Sequence, residues 1–304
     1  MCIRDRLYYV KKTHKSSFIN IIGKPNVGKS SLVNYFMGRK ISIISPKAQT
    51  TRHRIFSILN DDHYQLVFSD LPGIITPKNK LHKSMMKFVS GSYSDADVIL
   101  LVIDSSKDDY FDNDLIYKIK SLKIPILIVL NKIDLIDNTI LDQIVVKFGS
   151  IFKSEFIFPI SITNPFNLDN LLDKIIELSP EGNPYFSKDQ ITDKSERFFV
   201  NEKIREKILN LYKQEIPYSV EVETEVFDFK DKILKLSSVI YVERETQKGI
   251  LIGHNGESIK KLGVEARKDL ENFFNKKIHL ELYVKVNKNW RSSSTKLKRF
   301  GYQT

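Results

Sequence analysis

Five short apolar runs govern what this chain can fold into. Phe18–Ile22, Tyr64–Ser69, Val98–Ile103, Ile124–Leu130 and Phe156–Ile160 each have the length of a buried strand, and the intervals between them can hold crossover helices. That pattern predicts a parallel, doubly wound α/β sheet. Each run closes on a polar residue or a turn, at Gly23, Asp70, Asp104, Asn131 and Ser161. In an open parallel sheet, ligands bind outside the carboxyl ends of the strands. Those five positions are therefore where a site is expected.

The first of them begins Gly23-Lys24-Pro25-Asn26-Val27-Gly28-Lys29-Ser30, which satisfies G-x-x-x-x-G-K-[ST] directly after a strand-like run and before the helical stretch from Ser31 to Phe36. That context makes an incidental glycine turn a poor explanation. Backbone N–H groups of such a loop wrap a β-phosphate, and the following helix adds a favourable dipole. The phosphate site is read as Gly23 through Ser31. Lys29 reaches the β- and γ-phosphates, and the Ser30 hydroxyl ligates Mg²⁺.

Asp70-Leu71-Pro72-Gly73 closes the second run. Alone it is a common turn. Behind a phosphate loop, Asp70 is expected to hold Mg²⁺ through water and the Gly73 N–H to sense the γ-phosphate. Asn131-Lys132-Ile133-Asp134 closes the fourth run. A carboxylate at Asp134 can accept the N1–H and exocyclic amine of guanine, a donor pair adenine lacks, and such a site can reject the wrong base by ~10⁴-fold. Asn131 is expected to tie this motif to the phosphate loop, with the Lys132 stem along the base. Ser161-Ile162 can supply a backbone N–H to the guanine oxygen, although that pair means nothing by itself.

The order of these motifs resembles the Ras-like GTPase superfamily. More narrowly, Ile41–Ile55 resembles the first switch of the Era GTPases, whose Gln-Thr-Thr-Arg-His motif falls here on Gln49–His53. The resemblance implies that Thr51, with Thr50 as runner-up, ligates Mg²⁺ and the γ-phosphate; read in isolation, the same residues are a solvated basic loop. Lys29, Thr51 and Gly73 are then the groups assigned to catalysis. Two departures stand out: Leu71 where the family has threonine, and Ile162 where it has alanine. Both spare the groups expected to do the chemistry.

Ras-like enzymes place a glutamine after Asp-x-x-Gly to orient the attacking water. Ile74 stands there and cannot hydrogen-bond, so slow intrinsic hydrolysis is expected. Related GTPases with this replacement use K⁺ held partly by a phosphate-loop asparagine, which would be Asn26.

Beyond Ser179 the order changes. Arg197–Lys213 reads as helix, Tyr218–Phe227 and Ile233–Val242 as strands, Gly256–Phe274 as helix and Ile278–Val286 as strand. Gly253-His254-Asn255-Gly256 lies between the strand-like Ile250–Ile252 and the helix. A Gly-x-x-Gly turn opening a helix is the KH device for clamping about four nucleotides. Weak alone, it resembles in this setting the smaller α+β type II KH domain of Era proteins. The RNA-contact candidates are Gly253, His254, Asn255 and Gly256 with Lys248, Lys260 and Lys261. The basic tail residues Lys285, Lys288, Arg291, Lys296, Lys298 and Arg299 are further candidates for phosphate. Leu270, Phe273 and Phe274 read as core.

The predicted division is an extra segment 1–15, disordered or artefactual; a Ras-like domain 16–180; a linker 181–195; and a KH-type domain 196–304. Net charge is +11, which suits a polyanion partner. The sole cysteine, Cys2, excludes a disulfide framework or a cysteine metal centre within one chain. No apolar stretch reaches the roughly 18 residues of a membrane span, and a cytoplasmic location is expected. The resemblance implies a monomeric GTP/GDP switch that binds the 3′ region of 16S rRNA in small-subunit assembly, with peripheral membrane contact. Its rivals are an RNA-binding module with a structural nucleotide site, a tRNA-modification GTPase, which would carry a C-terminal cysteine this chain lacks, and a membrane-remodelling GTPase, which would need long helical stalks.

Overall fold

The computed structural model describes residues 13–108, 113–152, 156–230 and 232–303. Most of the expected extra segment lies outside them. The first sheet has six strands: β1 (Lys15–Ile22), β2 (Ile55–Asn60), β3 (Tyr64–Asp70), β4 (Val98–Asp104), β5 (Ile126–Asn131) and β6 (Ile157–Pro159), in the order β2-β3-β1-β4-β5-β6. Helices α1 (Lys29–Phe36), α2 (Lys80–Gly91), α3 (Asn113–Lys120), α4 (Asn138–Phe152) and α5 (Leu168–Leu178) cover both faces. Leu32 and Val33 of α1 and Leu171 and Ile175 of α5 fill one core layer. Leu81 and Met85 of α2, Ile119 of α3 and Ile144 and Phe148 of α4 fill the other. Strands covered on both sides read as continuous apolar runs, because neither face can carry polar residues.

The sheet departs from the wholly parallel one that the apolar runs predict. β2 pairs antiparallel with β3, with Ile55 opposite Asp70 and Asn60 opposite Gln65. In the sequence Ile55 closes the first-switch stretch, and nothing local marks it as the start of a strand. A sheet edge needs cover, and residues 185–193 provide it. Ile58 N–H donates to the Ile191 carbonyl at 2.9 Å and Phe56 N–H to Asp193 Oδ1 at 2.9 Å. Gln65 Oε1 accepts from the N–H groups of Tyr185 and Phe186 at 2.7 and 2.9 Å.

The second body holds α6 (Glu196–Leu211), α7 (Ile216–Ser219), β7 (Glu221–Lys230), β8 (Ile233–Val242), α8 (Glu245–Ile252), α9 (Glu257–Phe274), β9 (Lys277–Val286) and α10 (Ser294–Arg299). Its sheet runs β7-β8-β9, antiparallel then parallel. Ile204, Leu251, Leu262 and Leu270 pack from the helices onto Val222, Leu236 and Ile240. The strand-like Ile250–Ile252 is in fact the last turn of α8. Gln247 Oε1 accepts from the backbone N–H groups of Glu243 and Arg244 at 2.9 and 3.1 Å where that helix starts, and only Leu251 of the three apolar residues is buried. Three consecutive apolar residues are too few to reveal a period.

Candidate functional site

The ends of β1, β3 and β5 meet over one cleft of about 370 Å³, lined by residues including Asn26, Lys29, Ser30, Thr51, Gly73 and Lys132. Lys29 is buried, and its Nζ donates to the carbonyls of Gly23 and Lys24 at 3.1 and 2.7 Å. Burial pushes its pKa down to about 8, against the attraction of Asp70. Gly73 presses on the phosphate loop: a Cβ there would lie 2.7 Å from Pro25 N, closer than real contacts allow. Ile74 N–H donates to the Gly23 carbonyl at 3.0 Å, so a backbone hydrogen bond joins the two phosphate motifs. Ile74 itself packs against the core.

Ser30 Oγ stands 2.7 Å from Asp70 Oδ2 and 3.0 Å from Thr51 Oγ1. Thr50 points elsewhere, donating to the Lys47 carbonyl at 2.6 Å. Asp70 Oδ1 is buried with no hydrogen-bond partner, and burial raises the Asp70 pKa. An orphaned carboxylate oxygen beside two hydroxyls is a hard-oxygen set that suits Mg²⁺. Among the described residues, no group of three or more His, Cys, Asp or Glu could hold a metal, so hydroxyls must take part.

Asn131 Nδ2 donates to the Val27 carbonyl at 2.8 Å. Lys132 Nζ bridges the Asn26 carbonyl at 2.9 Å and Asp104 Oδ2 at 2.7 Å. Asp134 is exposed and accepts from Ser161 Oγ at 2.6 Å. Asp134 and Ser161 lie past the lining of the phosphate cleft, on the side of Lys132. Asn26 Nδ2 donates to the Pro46 carbonyl at 2.7 Å, which ties the phosphate loop to the first switch. Lys107 also lines the cleft, in a Ser-Lys stretch with no motif to mark it.

The first switch is gripped from the second body. Arg52 is fully buried and donates to the carbonyls of Val220 at 2.7 Å and Pro217 at 3.1 Å, with Glu221 Oε2 at 3.3 Å. Arg205, fixed by Glu202 at 2.7 Å, donates to the carbonyls of Gln49 and Thr50. Lys47 Nζ caps the carbonyls of Leu209 and Tyr212. His53 stacks on Tyr302 with ring centroids 4.3 Å apart, and burial holds its pKa down to about 3. Trp290, Leu297 and Tyr302 complete the core layer under α2. Sequence reading missed this grip, because lone basic residues in a basic loop look solvated.

At the other end of the second body, Gly253 and Gly256 take φ of 73° and 78°. A Cβ on Gly253 would lie 2.2 Å from Ser258 Oγ. His254, Asn255, Lys260 and Lys261 are exposed there, and Lys248 is half-buried. The tail cations are less available than the sequence suggested: Arg291 pairs with Glu243, Arg299 with Glu223 at 2.6 Å and Lys285 with Glu225 at 3.5 Å. No helix of the described residues is long and apolar enough to cross a membrane.

A family model for the 50S ribosome-binding GTPase matches residues 18–132, and one for the KH domain matches residues 215–291. The chain is 44% identical to the GTPase Era of Caldicellulosiruptor saccharolyticus, over 95% of this chain and 97% of that one. It is 40% identical to the GTPase Era of Alkaliphilus metalliredigens, over 96% and 100%. Its fold matches a variant Aquifex aeolicus Era bound to GDP·AlF₄⁻ (TM-score 0.89, 38% identity, 95% and 100% covered). It also matches Era in complex with MgGDPNP and nucleotides 1506–1542 of 16S ribosomal RNA (TM-score 0.89, 38% identity, 96% and 100% covered). Near-complete coverage at this identity, over a phosphate cleft joined to a Gly-x-x-Gly domain, makes the chain a member of the Era family of GTPases.

Proposed function

We propose that the protein is a slow GTP-driven switch that binds the 3′ region of 16S rRNA during assembly of the small ribosomal subunit. The observation that carries this reading is the position of the first switch. Thr51 faces Ser30 at 3.0 Å, while its neighbour Arg52 is buried in the RNA-binding domain. A γ-phosphate that orders Thr51 would therefore act on a segment anchored in that domain. The relative solved with MgGDPNP and 16S rRNA supports the choice of partners.

When bound, Mg²⁺ neutralises phosphate charge; Ser30, Thr51 and Asp70 would hold it. Lys29 and the loop N–H groups bind phosphate, Asp134 selects guanine, and Asn131 and Lys132 fix the guanine motif to the phosphate loop. Ile74 supplies no hydrogen bond to water, which accounts for a slow rate without a partner. Asn26 is the candidate K⁺ ligand through its side-chain oxygen; equal turnover in Na⁺ and K⁺ at saturating GTP would remove that role. The division at about residues 180 and 196, a monomeric state, a cytoplasmic location and peripheral membrane contact belong to the same reading.

Crosslinking to total RNA tests it. The GTP-analogue form is expected to enrich the 3′ end of 16S rRNA over the GDP form. Equal recovery in both states would sink the switch.

A further inference from the structure

A second cleft, of about 810 Å³, opens between the two domains on the side of residues 39–41 and the carboxyl end of α9. Its volume lies within the about 300–1,000 Å³ range of small-ligand sites. Its walls carry Arg39, Lys40 and Lys203 together with the rings of Phe199 and Phe273. Lys203 is only 5% exposed. The carboxylate facing it, Glu206 Oε2, is 4.0 Å away, beyond hydrogen-bond reach, and that oxygen is itself buried without a hydrogen bond.

The other oxygen of Glu206 is already occupied, by Lys40 Nζ at 2.7 Å and Ile44 N–H at 3.1 Å. One carboxylate thus serves two ammonium groups. Arg39 adds a third cation, exposed and with no acidic partner among the described residues. Of the two acids at the wall, Asp269 is paired with Lys207 at 2.8 Å, leaving Glu196. Burial lowers the pKa of Lys203. With its nearest carboxylate at 4.0 Å, the Lys203 ammonium has no direct acceptor from the protein, and an entering anion would supply one.

The rings give the cleft its second character. Phe273 lies 5.4 Å from Phe199, centroid to centroid, and 5.2 Å from Lys203 Nζ. Phe273 is half-buried: it packs against the core residues Ile41, Ile55 and Phe199, as its sequence suggested, and also borders the open space of the cleft. Cations beside a partly exposed ring match a phosphate joined to a flat base. We propose that this interdomain cleft binds one nucleotide unit, with its phosphate on Lys203 and Arg39 and its base against Phe273. It is distinct from the Gly253–Gly256 turn, which sits at the opposite end of α9, about 25 Å away at 1.5 Å per residue. Its floor includes Ile41, which leads into the first switch, so occupancy would be felt by the GTP site.

The nucleotide unit could be free or part of an RNA strand, and two probes separate these sources. Full-length protein saturated with GDP and Mg²⁺ is titrated calorimetrically with AMP and with a single-stranded octaribonucleotide, the latter also in a Gly253→Asp background. Saturable binding of AMP, weakened tenfold or more by Lys203→Met, identifies a free-nucleotide site. Binding of the octamer alone, weakened as much by Lys203→Met in the Gly253→Asp background, identifies an RNA contact. Arg39→Ala changes an exposed side chain and repeats the test should Lys203→Met fold poorly. Absence of binding by both probes, or unchanged affinity in both variants, overturns the proposal.

Discussion

Arg52 and Glu221 meet at 3.3 Å across the boundary between the two domains, with relative exposures of 0% and 6%. Tyr302 donates a further hydrogen bond to the same carboxylate oxygen at 2.8 Å. Burial raises the Glu221 pKa against the pull of Arg52 and Arg205. The pair lies one residue from Thr51, so domain contact and nucleotide response share a few side chains.

Arg52→Met should destabilise the full chain by about 3–5 kcal/mol, because it strands a buried carboxylate. Arg52→Met combined with Glu221→Gln should lose less than the two single losses added together, since the stranded charge is gone. Urea denaturation of all four proteins measures this coupling. Strict additivity would mean the two residues are energetically independent.

Trp290 is fully buried and donates Nε1–H to the Ser219 carbonyl at 3.0 Å. It belongs to the core layer under α2. Trp290→Ala should destabilise by about 3–5 kcal/mol through the cavity it leaves. Thermal unfolding should also show the two domains separating into distinct transitions, as their shared packing is lost.

Base selection should move with Asp134. Asp134→Asn replaces an acceptor with a donor, which suits the 2-oxo group of xanthine and not the 2-amino group of guanine. GTP affinity should fall by about 10²–10⁴-fold, and XTP affinity should rise. Competition of GTP and XTP for a fluorescent GDP analogue reads both. Unchanged preference would put the selector elsewhere.

Gly253→Ala forces a side chain into a positive φ and against Ser258, a strain of about 1–3 kcal/mol. Binding of 16S rRNA fragments should weaken while basal GTP hydrolysis is kept, because the turn is remote from the phosphate cleft. Filter binding and phosphate release measure the two separately. A parallel loss of both activities would instead point to general misfolding.

Much of the first domain was legible because its strands are covered on both faces. Val98–Asp104 and Ile126–Asn131 announce themselves as continuous apolar runs, and the motifs sit where those strands end. The edge strand Ile55–Asn60 was not legible. It carries Ser57 and Asn60, which break the continuous apolar run that marks the inner strands. Helix α8 looks like a strand in sequence because its apolar residues cluster in its last turn. Neither the hold of Arg205 on the carbonyls of Gln49 and Thr50 nor the meeting of Arg52 with Glu221 has any local signature. Such contacts join residues far apart in sequence, and only the packed structure brings them within reach.

The placement of Trp290, Leu297 and Tyr302 beneath α2 also constrains how the molecule is made. Domains tend to fold in order as they leave the ribosome. Here the nucleotide-binding domain emerges with the core layer under α2 incomplete, and it stays incomplete until translation has passed Tyr302. Throughout that interval, the part of the core layer that Trp290, Leu297 and Tyr302 complete stays open on a nascent chain. Premature termination upstream of Trp290 would therefore release a GTP-binding fragment prone to aggregation, and not a smaller working switch.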